Sequence, residues 1–142
     1  MSHPSSGPAG YSGTPLPKKL GVKDGQVVLL DRLPDGLDLG LPPSVTVVRR
    51  MRAGLDLTVT FHTRLATLEQ RLPVLFEHTV TAGTVWVSWP KQSAAKRLGI
   101  ATDLTENVVR DLGLQIGWVD VKVAAIDDTW SGLKFVRRLA DR

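Results

Sequence analysis

The segment QVVLLD (residues 26–31) and the turn-rich run that overlaps it, DRLPDGLDLGLPPS (31–44), decide the fold. Four apolar residues follow one another in QVVLLD without polar alternation, which suits a strand covered on both faces, as in a parallel sheet between helical layers. On the C-terminal side, residues 45–48 read as a second strand, LDLTVTF (55–61) as a third and TVWVSW (84–89), closed by Pro90, as a fourth. Residues 119–126 make a fifth, and 133–136 return from it as a terminal hairpin.

Helical patterns separate these strands. Thr14-Pro15 marks a cap and a first-turn proline for a short helix that stops at Gly21. A second short helix has room to start near Pro34. Thr63 is placed to cap a helix to Glu77, with Leu65, Leu68, Leu72 and Leu75 on one face and Pro73 predicting a kink or break. Residues 91–101 read as a polar loop. Asp103 and Glu106 then stand at capping-box spacing and open a helix carrying Leu104, Val108 and Leu112. The pattern predicts one three-layer, Rossmann-like α/β domain over residues 14–142, with a mostly parallel sheet and a C-terminal antiparallel hairpin. Residues 1–13, rich in Ser, Gly and Pro, are expected to be a disordered tail.

Composition narrows the function. Cysteine is absent, so there is neither a disulfide framework nor a thiolate nucleophile. The start of the chain has neither a basic segment nor an apolar run, and no stretch is apolar enough to span a membrane; the expectation is a cytoplasmic protein. The net charge is +4, but the basic residues are dispersed apart from Arg49, Arg50 and Arg52, which argues against nucleic acid as a partner. His3, His62 and His78 lack metal-ligand spacing, so no metal site is expected.

In an open doubly wound sheet, ligands bind beyond the carboxyl ends of the strands, where strand order reverses. That reversal normally sets the first strand beside the fourth. Asp31, Trp89, Lys91, Asp103, Asp127, Asp128 and Trp130 then converge on one edge as candidate ligand-binding residues. Lys91 is the candidate anion clamp and Asp127 or Asp128 the candidate base. Each also has an ordinary structural reading: Asp103 as a helix cap, the aspartate pair as turn chemistry, Trp130 as a lid on the core. Trp86 and Trp118 read as core, and Ser131-Gly132 as part of the turn. The G-x-G-x-x-G turn of a dinucleotide site is missing after the first strand, where only Gly36 and Gly40 occur, and Arg49-Arg50 stands where an acid would hold a ribose.

The chain resembles a bacterial family catalogued as a domain of unknown function. The likeness rests on GYSGTPL (10–16), KKLG (18–21), WPK (89–91), TDLTE (102–106), DVKV (120–123) and IDDTWSGLK (126–134). It implies a small Rossmann-like or methyltransferase-like domain and carries no activity, cofactor or partner with it. The functional expectation is a non-catalytic binding or regulatory module, whose partner is a small anionic ligand or another protein. The alternative is a small methyltransferase-like transferase acting on a nucleotide-like or anionic ligand.

Overall fold

A computed structural model describes residues 13–142, so the tail expected over 1–13 lies, apart from Gly13, outside the described residues. In chain order the elements are α1 (Leu16–Leu20), β1 (Val27–Asp31), β2 (Thr46–Val48), β3 (Leu55–Phe61), α2 (Leu65–Glu77), β4 (Thr79–Pro90), α3 (Gln92–Leu98), α4 (Glu106–Gln115), β5 (Trp118–Ala125) and β6 (Trp130–Arg137). The six strands form one sheet in the order β2-β1-β3-β4-β6-β5. β2, β1, β3 and β4 are mutually parallel, and β6 is antiparallel to both β4 and β5. This is the α/β, Rossmann-like, mostly parallel sheet with a terminal hairpin that the sequence predicts.

Two apolar layers sandwich the sheet. On one face Leu68, Leu72, Leu75 and Phe76 of α2, with Val109 and Leu112 of α4, pack on Val85, Val87, Leu133 and Phe135. On the other, Leu20 of α1 and Leu39 of the following loop cover Val28, Leu30, Val59, Phe61 and Trp86. At five residues α1 is too short to persist alone. It is held by fully buried Leu20, whose carbonyl accepts a 2.9 Å hydrogen bond from the Trp86 indole N–H.

Several local expectations are corrected. No helix forms near Pro34: Leu37, Leu39 and Leu41 alternate with Asp38 and Gly40, the period of extended chain, and residues 32–45 lie on the sheet as an irregular strap. Pro73 does not break α2; it sits on the exposed side, where a carbonyl left without its N–H partner can meet water. The polar loop over 91–101 contains α3, which buries Ala94 and Ala95 and ends at left-handed Gly99. Ser131 and Gly132 lie in β6 rather than in a turn. The hairpin also enters differently, because β6 inserts between β4 and β5 and the fifth strand does not lie beside the fourth. Burial explains the choice: Gly132, Leu133 and Phe135 of β6 are buried, whereas Val121, Lys122 and Val123 of β5 are exposed, so β5 belongs at the edge.

The approach of α4 to the sheet depends on Gly113. A β-carbon there would land within the Phe135 ring, itself fully buried. Gly113→Ala should destabilise the fold by about 1–3 kcal/mol through overpacking, although alanine is the better helix former. Urea denaturation of the two proteins checks this.

Candidate functional site

The chain leaves β1 toward β2 on one side and then places β3 on the other, so strand order reverses between β1 and β3. The reversal expected between the first and fourth strands therefore lies one strand over, at the carboxyl ends of β1 and β3.

Asp31 closes β1 there and is buried. Its carboxylate accepts hydrogen bonds from Thr60 Oγ1 at 2.7 Å and from Arg71 Nη2 at 2.6 Å and Nε at 3.1 Å. Thr60 also meets His62 Nε2 at 2.8 Å, and His62 Nδ1 lies 3.1 Å from Thr67 of α2. The ring thus stands between two hydroxyls, of which Thr60 donates to the Asp31 carboxylate and Thr67 to the Arg64 carbonyl at 3.0 Å. Burial works to raise the Asp31 pKa, but hydrogen bonds from Arg71 and Thr60 and the Arg71 charge outweigh it and hold the group below its ordinary value. Burial, joined by the Arg32 charge, pushes His62 down to about 4, so the imidazole is neutral near pH 7. These partners were missed because they are far apart in sequence. The signal for them was present in LDLTVTFH, where Thr58, Thr60 and His62 alternate with Leu57, Val59 and Phe61.

The other predicted residues divide between structural and open roles. Asp103 is a cap, but of α2: its Oδ1 accepts from the Leu65 N–H at 2.8 Å, while Thr105 caps α4 through Val108 N–H at 3.2 Å. Asp127 Oδ1 accepts from the Thr129 and Trp130 N–H groups at 2.9 and 2.7 Å, the hydrogen bonding of an Asx turn. Asp128 is exposed beside it. Lys91 is half-buried at the N-cap position of α3, and its N–H donates to Thr129 O at 2.8 Å, so Lys91 and the aspartate turn do share one edge. Trp130 pairs with Pro90 and meets the Phe61 ring edge-on at 5.3 Å. Trp89 faces the α4 side and, with Gln92, Thr105, Glu106 and Asn107, lines a cleft of about 370 Å³. Glu106 in that cleft pairs with Arg110 at 2.6 Å, and Arg110 also holds Asp120 at 2.8 Å. Trp86 and Trp118 are core, as read.

Among the described residues no group of three or more His, Cys, Asp or Glu is placed to hold a metal ion, and no helix is long and apolar enough to cross a membrane. No family model matches the chain and no curated protein matches it. Solved structures do. The magnesium protoporphyrin IX methyltransferase of Synechocystis PCC 6803, with bound SAH, shares 10% identity at a TM-score of 0.57, over 86% of this chain and 78% of that one. The N-methyltransferase NodS of Bradyrhizobium japonicum WM9 shares 11% at 0.55, over 82% and 88%. A structure described as a pericyclic reaction enzyme shares 15% at 0.50, over 91% of this chain and 40% of that one. Likeness at identities this low shows the fold alone, a Rossmann-like domain. The matches also correct the functional expectation: against a non-catalytic binding module, the first two of these neighbours are methyltransferases, and they favour the transferase alternative.

The neutral, buried imidazole makes stability depend on pH. In the unfolded chain His62 titrates near its ordinary value of 6.5; folded, it titrates at about 4. A depressed folded pKa means the unfolded state takes up a proton first, so stability is full above about pH 6.5 and falls by about 1.4 kcal/mol per unit as pH drops toward 4. Between pH 7.5 and 5 the His62 contribution to the loss should be about 2 kcal/mol by urea denaturation, and His62→Gln should flatten that limb.

Proposed function

We propose that the chain is a small transferase of methyltransferase fold acting on a nucleotide-like or anionic ligand, held in the crevice beyond β1 and β3. The observation that carries this reading is the position of the cationic side chains. Arg71 holds Asp31 at the end of β1, and Arg32, the next residue in the chain, is exposed and reaches across to Phe61 O at 3.2 Å. In folds of this class a ligand is taken at that reversal point. The half-buried Trp130 against Phe61 supplies an aromatic surface beside it, and Lys91, one strand further along, is the second candidate cation.

S-adenosylmethionine, the group such a fold implies, does not fit these residues. Arginine rather than glycine follows β1, the segment after it is a strap instead of a helix, and Arg49-Arg50 rather than an acid follows β2. A sulfonium cation would also meet a guanidinium at the mouth. What the chain's own residues supply is recognition: Arg32 and Lys91 attract the anion, half-buried Trp130 supports a base, and the Asp31–Arg71 pair keeps the strand end rigid. Asp127 is spent on backbone N–H groups and is a poor base, which leaves Asp128 as the free carboxylate of the turn.

A thermal-shift titration with adenine nucleotides, dicarboxylates, S-adenosylmethionine and S-adenosylhomocysteine tests the reading. A true ligand at about 100-fold over its Kd should add about 2.7 kcal/mol and raise the melting temperature by several degrees. The expectation is a shift with nucleotides or dicarboxylates and none with S-adenosylmethionine. A melting curve unmoved by every compound would sink the transferase reading.

A further inference from the structure

Nine residues in the described chain have positive φ, and eight of them are glycines; the ninth is Arg32, at φ 58°. A left-handed backbone is strained for an arginine and free for a glycine. The turn after β1 would therefore be easier to make with glycine, and what the arginine adds is its side chain. Residues held against backbone preference concentrate where a ligand is recognised.

The position fits that purpose. Arg32 is exposed where the chain leaves β1, at the reversal of strand order, and its Nε donates to Phe61 O of β3. No other hydrogen bond of this guanidinium is made among the described residues, so most of its planar set of donors is open. The nearest acid, Asp31, is already taken by two nitrogens of Arg71 and does not neutralise it. His62 is neutral and adds no second cation beside Arg32. Phe61, whose carbonyl anchors Arg32, also carries the ring against which Trp130 stands edge-on. One residue thus links a guanidinium to a half-buried indole.

We propose that Arg32 is the anion-recognising residue of this crevice and that its ligand is a phosphoryl-bearing molecule of nucleotide type, the guanidinium taking the phosphoryl oxygens and Trp130 the base. The inference rests on the transferase reading and names the ligand class of the same site. A guanidinium fork suits phosphoryl oxygens because it can donate two parallel hydrogen bonds.

The test uses the full chain and its Arg32→Gly and Trp130→Leu variants, titrated calorimetrically at low salt with pyrophosphate and with adenosine diphosphate. Wild type should bind both, the diphosphate nucleoside more tightly. Arg32→Gly should weaken both about ten- to hundredfold, the loss expected for a charge-assisted hydrogen bond, yet unfold at a higher urea concentration because the strained turn is relieved. Trp130→Leu should remove the nucleoside's advantage and leave pyrophosphate binding unchanged. Binding undiminished in Arg32→Gly would overturn the inference while leaving the transferase reading in place. Equal binding of pyrophosphate and nucleotide by wild type would overturn the nucleotide assignment. Wild type that binds no anion saturably would overturn both the inference and the reading beneath it.

Discussion

A carboxylate at the buried end of a central strand must be paired, because an unpaired charge in that setting costs several kcal/mol. Asp31 meets this constraint with Thr60 of β3 and Arg71 of α2. Three elements are therefore fixed relative to one another at one point: the strand that starts the sheet, the strand across the reversal and the helix that crosses between β3 and β4. The buried pair is expected to contribute more to geometry than to net stability, since well-packed apolar residues of similar volume often do as well. Its consequence is that Arg32, the next residue, leaves the sheet at a defined place and angle.

How far the fold was legible depends on how local each signal was. QVVLLD and LDLTVTF reveal β1 and β3 because an apolar or alternating run needs no partner to be read. α3 was missed because QSAAKRL buries only Ala94 and Ala95, too little apolar area to show a periodic face. The strap over 32–45 was given room for a helix by its turn residues, although its leucines already alternate with a period of two. The order of the last strands is a contest between two candidates for the inner position, decided by which has large apolar residues to bury against the helices; the exposed Val121, Lys122 and Val123 lose that place to Leu133 and Phe135.

The site was legible in part for the same reason. Strand ends can be found in a sequence, so the edge shared by Lys91 and the Asp127–Trp130 turn was foreseen, and the Thr129–Lys91 backbone hydrogen bond joins them. Roles were harder. Asp103 and Asp127 present the same carboxylate to a sequence reader whether they hold a ligand or a backbone N–H, and only the folded chain shows that both are occupied by the backbone. Arg71, forty residues from Asp31, could be joined to it only through α2.

β5 ends the sheet with its outer backbone groups unpaired by any other strand among the described residues, and it exposes Val121 at 54% and Val123 at 44%. An open strand edge is a template on which further chains can add as strands. Between Asp120 and Lys122, however, the pairing with β6 slips. That irregularity interrupts the even spacing of donors and acceptors that an incoming strand would need. A slip of this kind is one of the devices by which a sheet edge is made a poor template for another strand.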